Sequence, residues 1–86
     1  ELISVAHLHG FDMDIVEFNV KKGALICKTP LKKLDSNFYG KILIGAIHRN
    51  GNWEIAVGDT HLREGDRAIA VCGSMMLKNL QELFQG

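Results

Sequence analysis

Apolar residues along this chain come in short runs separated by turn-forming residues, with a strand-like spacing except at the very end. Residues 2–9 are apolar enough for a first strand, and Gly10-Phe11-Asp12 reads as a turn. In residues 13–20, Val16, Phe18 and Val20 alternate with Glu17 and Asn19, the period-2 signature of a half-buried strand. Ile15 is the apolar exception on the outward side, and Lys22-Gly23 closes the run. Thr29-Pro30 predicts the start of a short helix that turns Leu31 and Leu34 to one side, because threonine caps free N–H groups and proline at the first helical position loses no hydrogen bond. Asp35 to Gly40 reads as a polar loop.

Three further strands are predicted at 42–48, 53–57 and 68–72. Asn50-Gly51 between the first two favours a tight hairpin turn, and the stretch 63–66 supplies a second reversal. Beyond Gly73 the period changes. Met76, Leu77, Leu80, Leu83 and Phe84 recur at helical spacing, so a last helix capped by Ser74 lays an apolar stripe on one sheet face. The closing Leu-Phe-Gln-Gly also resembles the remnant of a protease site, although the stripe begins well before it. The fold class is α+β: a small, mostly antiparallel sheet of about five strands, a short helix and a C-terminal helix, in one domain over residues 1–86 with its core at about 14–84.

Composition narrows the function classes. Ten basic and ten acidic residues cancel, so the basic footprint of a nucleic-acid binder is missing, and Lys21-Lys22 and Lys32-Lys33 read as solvated doublets. No apolar run reaches the ~20 residues that span a bilayer, so direct membrane insertion is not expected. A chain of 86 residues buries roughly 60% of its unfolded surface, which leaves it only marginally stable and favours a self-pairing partner. Cys27 and Cys72 show neither metal-type spacing nor a disulfide framework; free thiols suit a reducing cytosol, and Cys72 reads as a small buried hydrophobe.

Candidate chemistry is sparse. His7 and His9 would share one face of a strand, but a metal site would need His48 or His61 to converge on them, and the spacing of carboxylates and thiols does not suggest it. Asp12 and Asp14 around Met13 fit a turn as well as a cation site, and the glycines form no phosphate-cradling loop before a helix. Gly58-Asp59-Thr60 and Glu64-Gly65-Asp66 read as turns whose aspartates bond nearby N–H groups, Asp66 fixing the strand entry. Around the hairpin, Arg49 and Trp53 admit two readings: a pair that stacks on a nucleobase or binds phosphate, or a tryptophan packed on the sheet beside a snorkelling arginine. No catalytic residue is assigned.

Several of these pieces occur in a recognisable order. A strand Ile15-Val16-Glu17-Phe18-Asn19-Val20 is followed by Lys22-Gly23, by Thr29-Pro30-Leu31-Lys32-Lys33-Leu34, and by an apolar strand ending at Arg49 before Asn50-Gly51. Then comes Gly58-Asp59-Thr60-His61-Leu62-Arg63-Glu64-Gly65-Asp66-Arg67. Over about residues 14–84 the chain resembles the C-terminal ligand-binding domain of regulators of potassium conductance, the TrkA-C module of bacterial potassium uptake systems.

That resemblance implies a cytoplasmic regulatory domain, not an enzyme, held peripherally at the inner membrane by a potassium transporter subunit. It implies a homodimer working within a gating ring, beside a nucleotide-binding Rossmann half. In some relatives cyclic di-AMP binds where two such domains meet. Carried onto this chain, that site falls on Ile47, Arg49, Asn52, Trp53 and Ile55, with no cofactor in the domain itself. The sequence departs from such relatives in carrying Trp53-Glu54 and no proline after Pro30, and Glu54 opposes phosphate. The same module is also found attached to anion permeases and cation/proton antiporters; a small metal-binding enzyme using His7, His9, His48 or Cys72 is the more distant alternative.

Overall fold

The alternation of apolar and polar residues becomes a five-stranded antiparallel sheet in the computed structural model, which describes residues 2–28, 30 and 42–85. The strands are β1 (Leu2–His7), β2 (Met13–Asn19), β3 (Ile42–Arg49), β4 (Asn52–Ile55) and β5 (Arg67–Gly73). Short 3₁₀ turns occupy Leu25–Cys27 and Ser74–Met76, and the helix α1 spans Leu77–Phe84. The strand order is β1-β2-β5-β3-β4, so the last strand in sequence lies at the centre of the sheet.

Register follows from which side chains each strand must bury. β2 and β5 pair without interruption from Met13 opposite Gly73 to Asn19 opposite Arg67. Between β3 and β5 the register shifts between Ile44 and Ala46, which keeps both Ile44 and Ile47 buried although they are three residues apart. Val16, Phe18 and Val20 of the β2 run, Ala68, Ala70 and Cys72 of β5, and Ile42, Ile44 and Ile47 of β3 form the buried face. Leu80 and Phe84 close over them from α1, together with Ala24, Ile26 and Leu62. Phe18 and Phe84 stack with ring centroids 4.6 Å apart and planes within 7°. The Lys21 N–H donates to the Phe84 carbonyl at 3.3 Å, tying the helix end to the chain leaving β2.

The α+β class, the number of strands and the apolar stripe of the last helix agree with the sequence patterning, but β4 ends at Ile55, short of the expected 53–57, because Val57 is already bonded to Thr60 in the next loop. Phe84 is fully buried and Leu83 packs partly buried beside the core, so these two residues belong to the fold whatever the composition of the closing run suggests. Other expectations need correction. β1 stops at His7, because Gly10 (φ +82°) and the Leu8 N–H to Met13 carbonyl bond (3.0 Å) already belong to the turn into β2. His7 and His9 therefore do not share a strand face. Ser74 does not cap the helix: it opens the preceding 3₁₀ turn, and neither that turn nor α1 has a side-chain cap. Its N–H instead donates to the Asp12 carbonyl at 2.9 Å. The 3₁₀ turn at Leu25–Cys27 has no counterpart in the predicted elements. Apart from Pro30, the helix expected to open at Thr29-Pro30, with Leu31 and Leu34, and the loop Asp35 to Gly40 lie outside the described residues.

Candidate functional site

The hairpin between β3 and β4 is built as its sequence demands. Asn50 (φ +52°) and Gly51 (φ +82°) both occupy the left-handed region, the two-residue turn whose twist matches that of its flanking strands. Register then decides where each neighbour points. Arg49 pairs with Asn52 and His48 with Trp53, so successive residues of β3 alternate between the helix-covered face and the open face of the sheet.

Arg49 comes off on the helix-covered side, where it meets Asp66. Its Nε donates to Asp66 Oδ1 at 3.1 Å and Oδ2 at 3.2 Å, and its Nη2 donates to Oδ2 at 2.7 Å and to the His61 carbonyl at 2.9 Å. Asp66 is 3% exposed and also accepts the Arg63 N–H at 2.9 Å. A buried carboxylate is costly unless paired, and this one is fully served. The hydrogen bond to Asp66 pushes the Arg49 guanidinium above its already high ordinary value, outweighing the opposing effect of burial.

The surrounding loop is organised around that pair. The Thr60 N–H donates to the Val57 carbonyl at 2.9 Å, and Thr60 Oγ1 accepts the Val57 N–H at 3.1 Å. Leu62 drops into the core. Gly65 takes φ +87°, a conformation that a side chain makes strained, and donates its N–H to the Val20 carbonyl at 3.0 Å. The Asp66 carbonyl accepts the Val20 N–H at 2.8 Å. Arg67 opens β5 and pairs with Glu17 of β2. The long run 58–67 is thus a loop that fastens β3, β2 and β5 together, and its aspartate-to-backbone bonding is the turn role expected for Asp66.

Of the five residues assigned to an interface ligand site, the structure brings Trp53 and Ile55 together on the open face, while Asn52, opposite Arg49, lies on the helix-covered side. Asn52, Trp53 and Ile55 are exposed on β4. Ile47 is buried in the core, and Arg49 is committed to Asp66 beneath the sheet. Arg49 and Trp53 point to opposite faces and form no stacked pair. Trp53 instead meets His48 edge-on, with ring centroids 4.9 Å apart at 62°.

A second polar cluster, not anticipated from sequence, lies at the other side of the sheet. His7 of β1 is paired opposite Asp14 of β2, and its Nδ1 lies 2.7 Å from Asp14 Oδ1. Ser74 Oγ approaches the same nitrogen at 3.4 Å. A serine nucleophile relay needs the acid on one imidazole nitrogen and the hydroxyl on the other, so this arrangement cannot pass a proton from serine through the ring. It accounts for Asp14, a carboxylate 5% exposed, as the anchor of an edge strand. The thiols are equally unsuited to attack. Burial foremost pushes Cys72 up, with Asp14 adding to it, and burial followed by Asp66 and Glu64 does the same to Cys27. Among the described residues no group of three or more His, Cys, Asp or Glu converges to hold a metal ion. No described helix is long and apolar enough to cross a membrane.

Comparison with known proteins adds one finding: the family model of the TrkA-C domain matches residues 15–85. That span takes in β2 from Ile15 onward, all three later strands, the loop around Arg49 and Asp66, and α1. No curated protein matches the chain.

Proposed function

The chain belongs to the TrkA-C domain family, a family of regulatory domains of ion transport systems, and from that premise we propose that it is the cytosolic, dimer-forming ligand-binding domain of a Trk-type potassium uptake system. In this reading it stays at the inner membrane through its transporter subunit and controls monovalent cation transport through a gating ring. The observation that carries the proposal is the family match over residues 15–85. The fold supports it in kind, since the polar residues that stood out in sequence hold loops and strand ends together.

The effector proposed is a nucleotide, cyclic di-AMP, bound where two copies meet near the β3–β4 hairpin. Trp53 and Ile55 supply contacts from the open face and Asn52 from the hairpin end of the edge strand, while Arg49 and Ile47 hold the hairpin from beneath. Tryptophan offers a π-face for an adenine, and Asn52 an amide for hydrogen bonds. Regulation is then a population shift: the effector favours one pairing geometry by its differential affinity, typically about 1–3 kcal/mol of coupling.

The test is calorimetric titration of the chain with cyclic di-AMP and, in parallel, ATP, with Trp53→Ala and Asn52→Ala as site variants. Saturable binding of cyclic di-AMP that both variants weaken supports the reading. Heat-silent titrations, or binding indifferent to both variants, would remove the effector and its site. Arg49 is a poor probe of ligand contact, because its loss also unpairs Asp66.

A further inference from the structure

The two outer edges of the sheet are unlike. An edge strand leaves a row of backbone N–H and C=O groups without a neighbour, and such edges are ordinarily blunted by shortness, charge or proline. β4 is protected in this way, having four residues and an acid, Glu54. β1 has six residues, Leu-Ile-Ser-Val-Ala-His, with no lysine, arginine, acid or proline, and five of them are exposed. It also lies outside the residues 15–85 that the family model matches.

Register identifies the backbone groups left over. The Leu8 N–H donates to the Met13 carbonyl at 3.0 Å, so by alternation the pairs that exchange hydrogen bonds are Ala6 with Ile15 and Ser4 with Glu17. The opposite side of β2 agrees: Val20 donates to Asp66 at 2.8 Å and Ser74 to Asp12 at 2.9 Å, so the even-numbered residues of that run face β5. Val5 and His7 therefore turn their N–H and C=O groups away from the sheet, where no described residue bonds to them. Their side chains stand on the α1 side but beyond its cover. Val16 is 0% exposed, whereas Val5 opposite it is 43% exposed, so the cover ends between β2 and β1. A register shift between Leu2 and Ser4 interrupts the ladder, leaving Ser4 to His7 as the regular free run.

We propose that the free edge of β1 is a docking site for a partner polypeptide, which adds an extended, uncharged segment as a sixth strand through the N–H and C=O groups of Val5 and His7. The assignment depends on neither the effector nor the dimer of the preceding section.

Chemistry commits the site to a strand. The unmet groups are main-chain donors and acceptors at the strand repeat, which an added strand meets in register and a helix or a lipid surface does not. Charge specifies an uncharged one. The nearest acid, Glu17, already accepts Arg67 Nε at 2.8 Å and Ser4 Oγ at 3.4 Å, so a charged segment finds no counter-charge there. Val5 offers an aliphatic neighbour on the α1 side, while Ser4 and Ala6 leave room on the other. His7 Nδ1 is taken by Asp14 at 2.7 Å, which leaves Nε2 of a half-exposed ring for a hydroxyl or amide of the incoming segment. Size argues against a second folded copy. Four residues at ~3.3 Å each, in a sheet about 10 Å thick, present roughly 130 Å², far below the ~800 Å² per partner of a stable interface. A flexible segment also fills the step beside Val5.

The test is heteronuclear NMR of the native chain titrated with the capped peptide acetyl-Lys-Thr-Val-Thr-Val-Thr-Lys-amide, whose end lysines keep an uncharged centre soluble. Saturable shifts and slowed exchange are expected at the Val5 and His7 amides. Two N-methylated forms, at the threonines or at the valines, should differ: the form whose methyl groups meet β1 binds at least ~10-fold more weakly, the other as the parent does. Val5→Pro removes an outward N–H while sparing the pairing with β2, and should weaken binding by at least ~10-fold; Val5→Thr keeps that N–H and should bind like the native chain. Circular dichroism checks that both variants are folded. No shift at millimolar peptide, shifts confined to β4, or equal binding of both N-methylated forms would overturn the proposal. Self-association of the native chain that Val5→Pro abolishes in sedimentation equilibrium would give the edge to a second copy and overturn the partner assignment. Calorimetry with cyclic di-AMP is read separately, so the two proposals can fail independently.

Discussion

Replacing Arg49 with methionine keeps an apolar stem of similar length against the loop but deletes the guanidinium. Asp66 then retains only the Arg63 N–H among the donors to its carboxylate described above, at a position 3% exposed. Removing one partner of a buried ion pair costs about 3–5 kcal/mol, mostly because the remaining charge is stranded. Two features reduce that figure here: the Arg63 N–H stays in place, and the Arg49 side chain is 16% exposed, so water can partly replace it. The expected loss is about 2–4 kcal/mol, since charge-assisted hydrogen bonds are worth ~1.5–3 kcal/mol each and the pair spans more than one. A domain of this size has roughly 4–13 kcal/mol of stability in all, so the variant loses a large share of it. For a domain of this length each kcal/mol lowers Tm by about 4–8 °C, which predicts a fall of roughly 8–32 °C in a calorimetric scan. The partner experiment is Arg49→Met/Asp66→Leu. Removing both charges should recover part of the loss of the single variant, because an apolar pair strands no carboxylate. A fall in Tm of under ~3 °C for Arg49→Met would show that the pair is solvated and that the loop is held by something else.

Gly65→Ala adds a methyl group that meets nothing within 4 Å, so its expected cost of about 1–2 kcal/mol is wholly that of a left-handed φ; unchanged urea unfolding would show that the turn relaxes freely. Phe84→Ala removes one ring of the stacked pair under α1 and should cost about 3–5 kcal/mol by the same assay, with an effect near zero meaning that the helix end is dispensable. Cys72 provides a pH test. Its thiol is pushed above its ordinary 9.0 chiefly by burial, so the folded chain keeps the proton where the unfolded chain has released it. That contribution is complete below about pH 9 and is lost as pH rises towards the folded value. Between pH 7 and pH 10.5 the native Tm should therefore fall more steeply than that of Cys72→Ala, and parallel slopes would contradict the assignment.

Much of this molecule was legible in the order of its residues, because the information was local. Period-2 alternation in β2, the Asn50-Gly51 turn and the helical spacing from Met76 to Phe84 each depend on neighbours a few positions apart, and each appears in the structure where expected. The run from Gly58 to Arg67 was also recognisable as a unit, and it lies within the residues that the family model matches.

Side-chain partnership was not legible, because it depends on strand order. Only the insertion of β5 between β2 and β3 sets Arg67 against Glu17, fifty residues away in sequence, and brings Asp66 under Arg49. The same topology separates Arg49 from Trp53, which look adjacent across a tight turn but project to opposite faces, and it pairs His7 with Asp14 rather than His9. The open apolar face is of this kind too. Ile15 could be identified as outward-facing from its own strand, but its continuity with Leu43, Ile69, Val71, Ile55 and Trp53 exists only once four strands are laid side by side. A linear pattern specifies which way each residue points within its own element; what it points at is decided when the sheet is assembled.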